Sequence, residues 1–354
     1  MGKKVTIQDI ADELGISRNT VSKAINNANG ISENTRQRIL KKAVELGYKQ
    51  FSYVSALANL NSNNSDFSGG SLAGISGEIA LMIPAYIPNN HFASTLLDKL
   101  HEELTMLGMY LVVHRITSRD IAGMTLPRTF SAERARGIVC VEVFNADYCD
   151  MICSRNLPTL FIDGPCRFGE RSVQADMLLM DNTTEISTFI RKLIDRELTK
   201  IGFIGDYTHC QSFYERYCAF RTTMMEAGIP VDENHLILIQ DKDLEGMADR
   251  LENLAEHGTL PDAFICANDF LAIDAMQLLA QKDRSFLQSV RFLGFDDSHE
   301  SRIFYPAIST VHIHTQVMAF SALHLLVSRI NDPTLDYRTI YVATDLVLRD
   351  STEF

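Results

Sequence analysis

No run of apolar residues in this 354-residue chain reaches the roughly 18–20 that a membrane span needs. The N-terminus, Met1-Gly2-Lys3-Lys4, leads into polar, amphipathic sequence. It lacks the apolar core of a secretory leader, so a cytoplasmic protein is expected. A C-x-x-C pair is also missing. The seven cysteines are odd in number, and Cys149 and Cys153, four apart, have no histidine or second pair to complete a zinc pattern. Buried free thiols are expected, and no metal. Enzyme signatures are absent too: Gly-x-Ser-x-Gly, Gly-x-Gly-x-x-Gly, His-Glu-x-x-His and a Walker-type loop do not occur. The glycines from Gly69 to Gly74 are followed by Ile75 and Ser76, where a phosphate loop needs Lys-Ser/Thr. A non-enzyme without a cofactor is the reading.

What is present suits a soluble, globular chain: 46% hydrophobic residues and 22% charged. The length suits a small domain plus a two-lobed body. The net charge of −12 is unevenly spread. Residues 1–60 hold nine Lys/Arg against five Asp/Glu, a head of +4 on a body of −16. A basic module on an acidic body is expected where one end meets phosphate.

The head reads as three helices. Thr6 can cap the first, with Asp9 three residues on, and Ile7, Ile10, Ala11 and Leu14 share one face. Gly15 supplies the stop, Ile16 fills the turn, and Ser17 caps a second helix whose stripe is Val21, Ala24 and Ile25. A third follows Ser32, with Ile39, Leu40, Ala43 and Leu46 before Gly47. This is a helix-turn-helix pattern, which places the start of its second helix in the DNA major groove. That start is Arg18-Asn19-Thr20, with Lys23 one turn on, opposite Val21 and Ala24. Arg and Lys can donate to guanine, and Asn can pair with adenine. On spacing alone, a generic three-helix bundle with a solvated polar face fits equally well.

The residues themselves go further. Val5-Thr6-Ile7-Gln8-Asp9-Ile10-Ala11, Leu14-Gly15-Ile16-Ser17 and Thr20-Val21-Ser22-Lys23-Ala24-Ile25-Asn26 closely resemble the head of the lactose-repressor (LacI/GalR) family. Ile31-Ser32, Thr35-Arg36 and Leu46-Gly47-Tyr48 continue the match. The resemblance implies base reading by Arg18, Asn19 and Lys23, and phosphate positioning by Thr6, Ser17, Thr20, Ser22 and Asn26. It also implies a hinge helix at Val54-Ser55-Ala56-Leu57-Ala58, with Leu57 wedged into the minor groove. Gln50 stands where the family usually has proline.

Residues 59–77, rich in Asn, Ser and Gly, read as linker. Beyond them, apolar runs at 79–83, 110–114, 137–141, 159–162, 201–204, 236–239, 263–267 and 290–295 alternate with helical patterns, for example 93–107 and 214–227. Such alternation implies an α/β body with two parallel sheets, and ligands at the carboxyl ends of strands. The expected division is a head at 1–60, a linker at 61–77 and a body at 78–354. Lobe 1 would hold about 78–178 and 313–340, and lobe 2 about 179–312 and 341–354.

The body resembles the periplasmic-binding-protein-like core of the same family through Asp163-Gly164, Asp181-Asn182, Arg216, Ala267-Asn268-Asp269, Gly294-Phe295-Asp296-Asp297 and Leu346-Val347-Leu348-Arg349-Asp350-Ser351. The resemblance implies that Phe92, Asp163, Arg216, Asn268 and Asp296 face an effector in the cleft between lobes. A sugar or sugar derivative suits these groups, and Arg216 could also hold an anion. Read singly, Asn268 and Asp296 could equally be helix caps. Departures are Thr183-Thr184 after Asp181-Asn182, Glu197-Leu198 for the usual Gly-His, and the absence of Trp. His312 and His314 share one face of a strand and suit a surface or lobe-crossing pair better than a metal site.

The expected function is a DNA-binding transcription regulator, a homodimer on a near-palindromic operator, controlled by a small-molecule effector. A non-sugar metabolite or a protein partner could replace the sugar. A solute-binding protein shares the body but not the head. Thr352-Glu353-Phe354 is too short for a tetramerising heptad helix, so that route to tetramers is not expected.

Overall fold

The computed structural model describes residues 6–25, 31–46, 77–85, 91–166, 173–239 and 243–352. The chain divides into two compact units, Met1–Ser71 and Leu72–Phe354. Asn26, Gln50, Leu57 with its hinge segment, and the linker before residue 77 lie outside the described residues.

In the first unit, α1 (Ile7–Leu14), α2 (Arg18–Ile25) and α3 (Glu33–Leu46) surround Ile10, Ala11, Val21, Ala24, Ile39 and Ala43. Their ends are fixed locally. Thr6 accepts from the Asp9 backbone N–H at 3.3 Å, and Asp9 accepts from the Thr6 backbone N–H at 2.7 Å, closing a capping box. Gly15, at φ 63°, ends α1 in the left-handed region that an L side chain disfavours. Ser17 Oγ accepts from Thr20 N at 3.0 Å, and Ser32 Oγ from Thr35 N at 3.2 Å. The side chains of Ile25 and Leu40, expected on the apolar stripes, lie outside the described set.

The second unit holds two parallel sheets and a ribbon. The larger sheet has strand order β11-β5-β4-β3-β1-β2. Its strands are β1 (Gly77–Pro84), β2 (Met109–Ile116), β3 (Ala135–Val141), β4 (Thr159–Ile162), β5 (Asp176–Met180) and β11 (Thr339–Val342). The smaller runs β7-β6-β8-β9: β6 (Ile201–Ile204), β7 (Leu236–Ile237), β8 (Ala263–Cys266) and β9 (Arg291–Leu293). The inner strands are near-continuous apolar runs because helices cover both faces, while the edge strands β2 and β11 of the larger sheet are partly exposed. Around the larger sheet lie α4 (His91–Met106), α5 (Ser118–Gly123), α6 (Ala146–Cys153) and α13 (Thr315–Asn331). With the smaller go α7 (Thr184–Ile194), α8 (Gln211–Glu226), α9 (Leu244–Glu256), α10 (Asp269–Lys282), α11 (Phe286–Ser289) and α12 (His299–Ile303).

The apolar runs read from the sequence lacked β5 and β11 of the larger sheet, and the two-sheet reading lacked a ribbon. β10 (Thr310–Ile313) and β12 (Thr344–Val347) form an antiparallel ribbon. Because β5 runs to Met180 and β11 to Val342, the chain leaves the larger sheet slightly later than expected at both places. The first crossing is pinned at Asp181. Its N–H donates to Val342 O at 2.8 Å, and its own carbonyl accepts from Thr344 Oγ1 at 3.0 Å. Thr183 and Thr184 both donate their hydroxyls to the Asp181 carboxylate, at 2.9 and 2.5 Å. The same carboxylate accepts from the Thr183 and Thr184 backbone N–H groups, at 2.9 and 3.1 Å, so Asp181 supplies the acceptor at the start of α7.

A buried ion pair closes the far edge of the larger sheet. Asp176 accepts from Arg329 Nε and Nη2, each at 3.0 Å, and from Arg338 N at 2.8 Å. Burial alone would raise the Asp176 carboxyl, but the Arg329 and Arg338 hydrogen bonds hold it below the usual range. All seven cysteines are free thiols, and Cys140, Cys149, Cys210 and Cys266 are buried. Among the described residues, no helix is long and apolar enough to cross a membrane, and no group of His, Cys, Asp and Glu is arranged to hold a metal.

Candidate DNA-reading face and effector cleft

On α2, Arg18, Asn19 and Lys23 are exposed, while Val21 and Ala24 are buried in the head core. Helical spacing thus turns the three polar side chains outward. Thr20 and Ser22 are half-buried, and the Thr6 and Ser17 hydroxyls already serve helix caps. A hydroxyl that caps a helix start also lies beside free backbone N–H groups, which suits a phosphate oxygen.

In the body, strand ends from both parallel sheets carry the candidate cleft residues. Asp163 follows β4 at φ 56°, and Asp296 lies beyond β9 at φ 109°. Positive φ at a non-glycine residue is costly and clusters at functional positions. Asp163 is 7% exposed, and its Oδ1 accepts from Gly164 N at 2.8 Å and from Ser212 N at 3.3 Å. The larger sheet thereby touches the first turn of α8. Burial raises the Asp163 carboxyl above its usual range, against these hydrogen bonds.

Arg216, on α8, is 2% exposed. Its Nε donates to Asn182 Oδ1 at 3.0 Å, and its Nη1 donates to Ala267 O at 2.6 Å. The guanidinium lies 3.5 Å from the Phe295 ring centroid. Its Nη2 stands 3.9 Å from Asp296 Oδ1. Burial pushes the Asp296 carboxyl up to about 8; Arg216 pulls against this, and Asp269, Glu142 and Asp163 add to it.

Asn268 and Asp296 part company on the question of capping. Asn268 Oδ1 accepts from Leu271 N at 2.9 Å and caps α10. Asp296 caps nothing: α12 is capped by Ser298. Asp163, Arg216 and Asp296 come together, with Asn268 beside the carbonyl that Arg216 binds. Phe92 lies in the first turn of α4, and its side chain is outside the described set.

Several participants were not singled out in the sequence. Glu142 follows β3 at φ 57° and presses on Asp296 electrostatically. Its place directly after a strand was the available signal. Asn182, 1% exposed, bridges Arg216 to Glu215, and Tyr341 Oη donates to Glu215 at 2.8 Å. Phe144 and His209 meet edge to face, with centroids 4.9 Å apart.

Below Asp296, Asp297 gathers a cationic cluster. Its carboxylate bonds His312 Nδ1 at 2.9 Å, Arg302 Nη2 at 2.6 Å, and Arg349 Nη2. Burial would raise this carboxyl, but His312, Arg302 and Arg349 hold it well below the usual range. His314 pairs with Asp345 at 3.1 Å, and the rings of His312 and His314 meet edge to face. The two histidines thus face carboxylates.

Comparison with known proteins agrees with this architecture. Residues 6–50 match the family described as "Bacterial regulatory proteins, lacI family", and residues 190–352 match a "Periplasmic binding protein-like domain". The chain is 26% identical over 360 residues to the HTH-type transcriptional repressor PurR of Actinobacillus pleuropneumoniae serotype 3 (strain JL03), covering 98% of both chains. It is 23% identical to the ribose operon repressor of Haemophilus influenzae, again over 98% of both. Among solved structures, a transcriptional regulator CelR–cellobiose complex matches in fold with a TM-score of 0.67 at 20% identity, over 99% of this chain and 100% of that one. The lac repressor dimer bound to operator and the anti-inducer ONPF matches with 0.65 at 18%, over 99% of both. The chain, a helix-turn-helix head followed by an α/β body of parallel sheets, belongs to the lacI family of bacterial regulatory proteins.

Proposed function

We propose that this protein is a sequence-specific transcription repressor whose operator affinity is set by a small molecule, a sugar or sugar derivative, held among Asp163, Arg216, Asn268 and Asp296, with Phe92 alongside. The observation that carries the reading is the exposed Arg18-Asn19-Lys23 face of α2, in a chain whose relatives are named as repressors. Arg18, Asn19 and Lys23 read bases; Thr6, Ser17, Thr20, Ser22 and Asn26 position phosphates; Leu57 wedges the minor groove. The head, the linker and the two lobes are the working parts, in the cytoplasm, and the protein has no enzymatic activity. A homodimer reads inverted half-sites, because one head covers too few base pairs to select a site in a genome. Ile303 and Tyr305, 68% and 88% exposed, offer apolar surface for that pairing.

Control works by linkage. The effector binds one lobe angle better than the other and shifts the population that holds operator. A thermal-shift screen of sugars, nucleosides and phosphorylated metabolites, followed by Asp296→Ala, tests this. The variant should keep operator binding and, with an inducer, lose the response. A variant that unfolds early and loses DNA as well would make Asp296 a structural residue.

A further inference from the structure

Three carboxylates enter the cleft region from strand ends on backbones that side chains disfavour: Glu142 at φ 57°, Asp163 at 56° and Asp296 at 109°. The Asp296 carboxylate comes no closer to a partner than its 3.9 Å approach to Arg216, although only 11% of the side chain is exposed. Glu215 adds a fourth acid beside Arg216 through Asn182. Against these stands Arg216, whose Nε and Nη1 are taken by protein oxygens and whose face lies on Phe295. The Asp297 cations, Arg302, Arg349 and His312, are held by Asp297 itself.

A phosphate is best held by a free donor fork, and each fork of Arg216, Nε–Nη2 or Nη1–Nη2, already has one nitrogen engaged by a protein oxygen. A neutral polyol can hydrogen-bond to these acids but brings no charge to set against them, and leaves Asp296 holding its proton near neutral pH. A protonated amine supplies three donors and a positive charge together. Taking the cleft as the effector site, we propose that it takes a hydroxyl-rich ligand carrying a protonated amine, of the amino-sugar class, and turns away phosphorylated sugars.

The proton balance gives an independent readout. In the empty cleft, the Asp296 carboxyl titrates at about 8. An ammonium placed beside it favours the carboxylate, so binding near neutral pH releases a proton. Among the described residues, the titratable and charged groups facing this position are Glu142, Asp163, Glu215, Arg216 and Asp269, with His209 at the Phe144 contact. The proton is therefore shared among acids, and its release is read as a whole.

The experiment is calorimetry on the full chain with glucosamine and galactosamine, glucose and galactose, and the two hexose 6-phosphates, in two buffers of different ionisation enthalpy. One hexosamine should bind roughly tenfold or more tighter than its parent hexose, with proton release at pH 7. Glu142→Gln, at a half-buried position, should shrink that preference. A hexose or hexose phosphate that binds equally well or better overturns the amine proposal. If Asp296→Asn abolishes that binding, the cleft reading survives alone. If Asp296→Asn leaves it unchanged, both readings fall. Saturation by none of the six removes the amino-sugar class.

Discussion

Asp297→Asn removes one charge and almost nothing else. Asparagine accepts the left-handed backbone that Asp297 adopts at φ 55°, and its N–H can still reach Thr310 Oγ1. What is lost is the anion between Arg349, Arg302 and His312. Arg349 is 17% exposed and keeps its bond to Ile308 O, so losing Asp297 costs it about 1.5–2 kcal/mol. Arg302 is 52% exposed, and solvent screening cuts its share to about 0.5 kcal/mol. The His312 hydrogen bond adds about 1 kcal/mol. The total is about 3 kcal/mol, or a drop of roughly 5 °C in the melting temperature of a body this size. The folded carboxyl titrates below its unfolded value of 3.8. Its contribution is therefore fully present above about pH 4 and lost as pH falls through the lowered folded value. Melting wild type and variant from pH 8 to pH 3 checks this: the gap should hold to about pH 5 and narrow below pH 4. A gap under about 1 kcal/mol at pH 7, or one that widens in acid, would refute the claim that this anion fastens β10 to the C-terminal segment.

Two further outcomes follow from the same kind of reasoning. Arg18→Ala should cost about 1–3 kcal/mol on the selected operator and flatten discrimination at one base pair, measured by fluorescence anisotropy on cognate and scrambled DNA; equal losses on both would remove Arg18 from base readout. Asp176→Ala leaves Arg329, 4% exposed, without its carboxylate, and should cost about 3–5 kcal/mol in urea unfolding. A loss near zero would show that the Arg329 bonds to the Pro333 and Asp336 carbonyls suffice.

The head was legible almost residue by residue because its signals are local. Thr6, Ser17 and Ser32 cap within three residues, and the pairs Ile7–Ile10, Val21–Ala24 and Ile39–Ala43 each stand at helical spacing. The eight apolar runs of the body became strands for a similar reason, since a buried parallel strand is a short apolar block. β10, β11 and β12 were harder. Each has four residues and carries polar groups, as in Thr310-Val311-His312-Ile313, so no block stands out. In the cleft, a strand-end rule found Asp163, Asn268 and Asp296 but could not tell the last two from helix caps. Asn268 turned out to cap α10, and Asp296 did not, because the backbone turns at φ 109° before any helix begins. Glu142 obeyed the same rule and was passed over. Asn182 was noticed only as part of a motif, since two of its three hydrogen bonds reach residues 33 and 34 positions away.

The larger sheet draws five strands from residues before 181 and its sixth, β11, from Thr339–Val342. On a ribosome, the backbone edge of β5 has no partner until nearly the whole chain has emerged. At the 5–20 residues per second typical of synthesis, the roughly 160 intervening residues take about 8–30 s to appear. Throughout that interval a buried-type strand, Asp176-Met177-Leu178-Leu179-Met180, presents an open edge, the geometry through which nascent chains pair wrongly. The Asp176 carboxylate waits equally long for Arg329 and Arg338. Left unpaired at the first position of that strand, a charge opposes its addition to another sheet. The ion pair that closes the finished fold thus doubles as a guard on the unfinished one.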